Sequence, residues 1–112
     1  MKMSFAAPLL LAAALAAFAQ SMPRMTTVDP PEGKRGDVLT VSGDNLGKDQ
    51  VAKLYLTDGT HDVLVEMTDQ EKASIKFKIP EKAATGRFAL MLLTTGKPPK
   101  LMEQPVKVTV DE

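Results

Sequence analysis

The 112-residue chain has no cysteine and no tryptophan, and only one tyrosine and one histidine. Without thiols there is no disulfide framework, no thiolate nucleophile, no cysteine zinc site and no lipid-anchored cysteine. The lack of tryptophan and the single Tyr55 leave little surface for stacking against sugar rings. With His61 as the one imidazole, catalysis would fall to carboxylates and amines. An excess of either charge is missing too, since 14 basic side chains balance 14 acidic ones. That balance excludes the strongly basic field of sequence-independent nucleic-acid binding, and equally an acidic solvating tail. Nucleic acid is not an expected partner.

The long apolar run stands at the start. Lys2 precedes an Ala/Leu-rich stretch from Phe5 to Phe18, which ends in Ala17-Phe18-Ala19 ahead of Gln20 and Ser21. Small residues at the first and third positions before a polar residue suit a signal peptidase. As a helix, Phe5 to Ala19 would rise about 22 Å, short of a ~30 Å hydrocarbon core, and Pro8 weakens a span further. Residues 1–19 therefore read as a signal peptide, 20–25 as a flexible lead-in and 26–112 as one domain. Cleavage would leave 93 of the 112 residues, with 13 basic and 14 acidic side chains once Lys2 is gone. The expected product is exported to the periplasm or outside the cell, with no stable membrane insertion after cleavage.

Beyond the lead-in the hydrophobic period is two, and Gly, Pro and Asp clusters punctuate it at intervals typical of all-β domains. Strands are expected over Met25 to Asp29 and Asp37 to Gly43, with a turn at Asp44-Asn45-Leu46-Gly47. Val51 to Thr57 alternates, with Ala52, Leu54 and Leu56 on one face and Lys53, Tyr55 and Thr57 on the other. Asp58-Gly59 signals a tight hairpin with positive φ at both residues. His61 to Thr68 returns with Val63, Val65 and Met67 on one face, and Asp69-Gln70-Glu71-Lys72 makes a polar corner. Ser74 to Ile79 turns Ile75, Phe77 and Ile79 inward before Pro80. Gly86 to Thr95 is apolar on both faces. Leu101 to Val110 closes the chain, with a bulge or a change of pairing expected at Pro105, which has no N–H to donate. The inward stripe is Leu39, Val41, Leu54, Leu56, Ile75, Phe77, Phe88, Leu90, Val106 and Val108.

Val28-Asp29-Pro30, Gly33 and the run Gly36-Asp37-Val38-Leu39-Thr40-Val41-Ser42-Gly43-Asp44-Asn45-Leu46-Gly47 resemble the opening signature of IPT/TIG domains. The spacing continues through Ile75 to Pro80, Gly86 and Val106 to Val110, so the likeness covers essentially all of the expected mature chain. It implies an all-β, immunoglobulin-like β-sandwich of about seven strands, of the E-set type. It implies no catalytic residue, because members bind proteins, carry sugars, dimerise or serve as spacers. Such domains usually belong to longer chains.

Arg35-Gly36-Asp37 spells an integrin-binding tripeptide, but its Gly and Asp also occupy the family's turn positions. Met22 and Met25, with His61, are the residues a soft metal such as Cu(I) would use, and they form a thin ligand set. Loop aspartates Asp44, Asp49, Asp58 and Asp62 do not follow a calcium-loop spacing and read as turn formers. Paired-carboxylate hydrolysis would need a cleft that so small a chain does not offer. No metal and no cofactor are expected. The informative strand is Gly86 to Thr95. With Phe88, Leu90 and Leu92 inward, Ala89, Met91 and Leu93 face outward beside Tyr55, joined by a residue near Met102. Such an apolar strip suits an interaction surface, unless stems such as Lys53 cover it. The expected function is therefore a non-catalytic binding or scaffolding module for an unidentified envelope or extracellular protein, with self-association as another use of the strip. A carbohydrate-associated module and a periplasmic metal-handling protein are the alternatives.

Overall fold

The computed structural model describes residues 22–112, so the expected signal peptide and the first two residues of the lead-in lie outside the described residues. Eight strands follow in order: β1 (Arg24–Asp29), β2 (Glu32–Lys34), β3 (Val38–Asp44), β4 (Val51–Thr57), β5 (Asp62–Glu71), β6 (Ser74–Lys78), β7 (Gly86–Thr94) and β8 (Leu101–Asp111). They hydrogen-bond in the order β1-β3-β6-β5-β4-β7-β8-β2. Every pairing is antiparallel except that of β2 with β8. No helix among the described residues is long and apolar enough to cross a membrane.

Strand β5 belongs to both ends of this order. Its first part, Asp62 to Val65, pairs with β4, and its second, Glu66 to Glu71, pairs with β6. The inward side chains of both halves form one cluster, which holds all ten residues of the expected stripe together with Met25, Leu46, Val51, Val65, Ile79 and Leu92. The order curls until β1 lies beside β8. There the buried Gln104 stands in for a strand-to-strand ladder, its Oε1 accepting the Met25 N–H at 2.8 Å. The side chain reaches β1 because β8 bulges at Pro105: Ala89 sits opposite Lys107 and Met91 opposite Glu103, so one residue of β7 faces three of β8. Gln104→Leu keeps the volume but leaves the Met25 N–H buried without a partner. It should cost about 1–3 kcal/mol, read as a lower urea midpoint with an unchanged slope.

Several details depart from the sequence reading. The domain begins ahead of residue 26, because Pro23 is buried and Met25 is fully enclosed within β1 rather than part of a flexible lead-in. An eighth strand, β2, follows Pro30-Pro31 and runs parallel to Thr109–Asp111. At three residues it is too short for any alternation to show. In β4 a bulge between Val51 and Lys53 turns Val51 into the core and leaves Ala52 exposed, opposite to the expected facing. A second bulge, after Met67, carries β5 through the expected polar corner and turns Gln70 inward. Its Nε2 donates to the carbonyls of Leu46 and Val51, both at 2.9 Å, and so ties down the β3–β4 loop.

The β4–β5 hairpin also differs. Thr57 pairs with Asp62, and the Asp58 N–H donates to the His61 carbonyl at 3.2 Å, which makes Gly59-Thr60 the central pair. Of the loop residues only Gly59 has positive φ, at 98°. Asp58 instead acts through its carboxylate, accepting the N–H groups of His61 and Thr60 at 2.7 and 2.9 Å and the Thr60 hydroxyl at 3.0 Å. These bonds, led by the one from the His61 backbone, hold the Asp58 carboxyl well below the usual carboxylate range.

Candidate binding face

The outward faces of the two halves are built from different residues. On the β3–β6–β5 side Lys76 lies between Thr40 and Asp69, and Lys78 between Val38 and Glu66. Lysines set beside acids across neighbouring strands make a solvated face. On the β5–β4–β7–β8 side the row is apolar. Tyr55 lies directly opposite Leu64 on β5 and Met91 on β7, while Leu93 lies opposite Lys53 on β4 and Leu101 on β8. Residues directly opposite each other in antiparallel strands share a face with Cβ atoms about 4.5–5.5 Å apart, so these side chains abut. Leu64 is 53 % and Leu101 56 % exposed, and Tyr55, Met91 and Leu93 are half-buried.

Of the four expected site residues, three therefore meet on one exposed strip and the fourth does not. Ala89 faces the same way but is only 5 % exposed. Its methyl is shorter than its neighbours, and it forms part of a notch of about 220 Å³ that also involves Thr57, Arg87, Glu103 and Lys107. Alternation sets the direction of a side chain, not its depth. The residue expected near Met102 is Leu101; Met102 itself lies opposite Leu92 and packs against the core. Leu64 was not in the expected strip. A turn centred on Asp58-Gly59 would have set Asp62 opposite Tyr55, whereas the observed turn brings Leu64 there. Glu103 interrupts the row beside Met91, and the exposed Lys53 borders Leu93.

The other motifs are occupied by local structure. The Arg35 Nε donates to the Ala83 carbonyl at 2.7 Å, the Gly36 N–H to the Ile79 carbonyl at 2.8 Å, and Asp37 Oδ2 accepts the Lys34 N–H at 2.8 Å. The tripeptide is thus a tied turn, with Gly36 at a φ of 91° that an L side chain seldom adopts. Met25 is sealed in the core, while the His61 side chain is 82 % exposed at the hairpin. Thr57 Oγ1 donates to Asp62 Oδ1 at 2.6 Å, so that carboxylate is engaged away from the neighbouring imidazole. Asn45 adopts a φ of 58° within its turn, and its Nδ2 donates to the Met22 carbonyl at 3.1 Å, which ties the turn to the segment ahead of β1. Among the described residues, no group of three or more His, Asp or Glu side chains is disposed to hold a metal ion.

No family model and no curated protein matches the chain. Among solved structures, it is similar to a structural genomics protein of unknown function from Bacteroides thetaiotaomicron, at 17 % identity and a TM-score of 0.67, over 80 % of this chain and 22 % of that one. An auxiliary nutrient binding protein from Bacteroides ovatus aligns at 21 % identity and a TM-score of 0.57, over 80 % of this chain and 21 % of that one. The Bacteroides ovatus mixed-linkage glucan utilization locus protein SGBP-B, in complex with a mixed-linkage heptasaccharide, aligns at 20 % identity and a TM-score of 0.54. That alignment covers 81 % of this chain and 23 % of SGBP-B. At these identities the shared property is the all-β fold. The chain spans about a fifth of the length of the solved structures it matches.

Proposed function

We propose that the chain is a non-catalytic binding or scaffolding module of the extracytoplasmic space, which recognises a protein partner through the outer face of β5, β4, β7 and β8. The observation that carries this reading is the asymmetry of the two outer faces: one sets Lys76 and Lys78 beside Asp69 and Glu66, with Val38 as a single exposed apolar residue next to Lys78, and the other presents Leu64, Tyr55, Met91, Leu93 and Leu101 together. A contiguous apolar strip with Met and Tyr at its centre suits adaptable protein contacts. We assign the fold to the immunoglobulin-like sandwich of the E-set type, as an IPT/TIG domain. Support comes from β5 passing from one half to the other, from the edge strand β2 parallel to β8, and from Gly36 and Asn45 at the family's turn positions with positive φ. Export rests on the residues 1–19 segment and is in keeping with neighbours that are named for nutrient and glucan binding.

Replacing Met91 and Leu93 together by Ser should leave the fold and its melting transition in place while abolishing association with the partner captured from an envelope extract. Undiminished capture would dispose of the face. A second reading, carbohydrate association, draws on the heptasaccharide bound by SGBP-B. Among the described residues Tyr55 is the one aromatic side chain on this face, since Phe77 and Phe88 are buried, so it offers a single half-buried ring for stacking. A glycan array probed with the unmodified chain separates the two readings.

A further inference from the structure

Among the described residues, strand β5 has one edge unpaired along part of its length. Asp62 to Val65 bond to β4 on one side, and β6 first meets β5 where Lys78 lies opposite Glu66. Past Lys78 the next residue whose backbone would face β5 is Pro80, which has no N–H to donate, while on the other edge the Ile79 N–H donates to the Asp37 carbonyl at 2.9 Å and the Ile79 carbonyl accepts the Gly36 N–H at 2.8 Å. Both backbone groups of Ile79 are thereby committed to the turn ahead of β3. The divergence opens a groove of about 810 Å³, with Val63, Leu64 and Val65 along one side and Ile79, Pro80 and Lys82 along the other. Successive residues of a strand direct their backbone groups to alternate edges, so half of this stretch offers N–H and C=O to the groove. An open edge of that kind is a template for one more strand.

We propose that this edge takes up an extended segment of the partner protein as an added strand. Side-chain alternation specifies the segment. Val63 and Val65 point toward the core side and Leu64 outward, which asks for apolar residues opposite all three. Asp62, outward and exposed, asks for Lys or Arg opposite it. At the far end Lys78 and Lys82 stand with Glu66 and Glu81, so the charges there cancel and Asp62 sets the preference. The segment's outward apolar side chain would extend the Leu64, Tyr55, Met91 row by one strand, joining edge and face into one surface. A second copy of this chain does not fit the edge. In a two-fold pairing centred on Val63, its own Lys78, fixed beside its Glu66, would fall on Thr60 of the first copy. A centre at Leu64 needs Asp62 beside Glu66, where Lys78 already sits.

The inference rests on the protein-partner reading for the existence of a partner, and the test separates the two. The probe is the synthetic peptide acetyl-Ser-Val-Leu-Val-Lys-Ser-amide, titrated into the chain while backbone amide resonances and hydrogen exchange are followed. Binding should shift and protect amides within residues 62–65. Glu in place of the peptide's Lys should weaken it roughly fivefold, and methylation of its backbone nitrogens should abolish it. Asp62→Lys should reverse the preference between the Lys and Glu peptides. Equal binding of the methylated peptide would overturn the added strand. So would shifts confined to Met91 and Leu93, which would leave the face reading standing alone, as would protection of residues 62–65 that grows with protein concentration without peptide. If the Met91→Ser, Leu93→Ser chain still takes up the peptide but no longer captures the partner, edge and face are both in use.

Discussion

Phe77→Ala should lower the free energy of unfolding by about 3–5 kcal/mol. Phe77 is the largest of the fully buried side chains; it lies between Leu39 on β3 and Met67 on β5. Its ring therefore packs where the β3–β6–β5 half meets the side chains of the other half. Truncation loses the transfer energy of the ring and leaves a cavity that a frame of hydrogen-bonded strands cannot collapse to fill. Domains of this kind hold a total of only about 5–15 kcal/mol, with no disulfide here to raise it. The variant should thus unfold at a much lower urea concentration, with the slope of the transition unchanged. A loss below about 1 kcal/mol would mean that the ring is not packed as described.

Gly43→Ala should be nearly as damaging, for a reason that involves no cavity. Gly43 lies opposite Met25, next to the irregularity at which β1 slips by one residue against β3. A Cβ there would overlap the carbonyl oxygen of Arg24 and stand 2.9 Å from the Met25 Cα. Those atoms are backbone, so they yield only if β1 moves, and β1 carries the N–H that Gln104 binds. Overpacking typically costs about 1–3 kcal/mol, and the strained link to β8 adds to it. In a domain of this size each kcal/mol is about 4–8 °C of melting temperature. Gly96→Ala is the control, because a Cβ there meets nothing nearer than 3.7 Å. It should change stability by less than about 0.5 kcal/mol. Equal melting temperatures for the two variants would contradict the close approach of β1 and β3.

Facing could be read from the residues because it depends on a period of two. Leu39, Val41, Ile75, Phe77, Leu90 and Val108 alternate with polar or outward neighbours and are buried as expected. Register could not be read in the same way. It depends on where a turn centres and on where a strand carries an extra residue, and neither changes the composition of the strand. The hairpin at Asp58 shows this: Asp-Gly marks a turn, yet the aspartate's side chain caps it from the flank while Gly59-Thr60 forms its centre. That displacement put Leu64 beside Tyr55. Pro105 was the exception, because an imino acid in a ladder announces its own bulge. The candidate face was half legible: Tyr55, Met91 and Leu93 followed from alternation, whereas Leu64 and Leu101 join them through strand pairing. The open edge at Asp62 to Val65 was marked only by Pro80, which ends β6; that Asp62 to Val65 lie beyond that end follows from register.

The double membership of β5 ties the two halves to one fate. A single peptide bond, between Val65 and Glu66, separates the residue held by β4 from the residue held by β6. Neither half can peel off as an autonomous subdomain without stripping bonds from a strand the other half is still using. Loss of native structure should therefore be all-or-none, with no half-folded species to expose the oily interior.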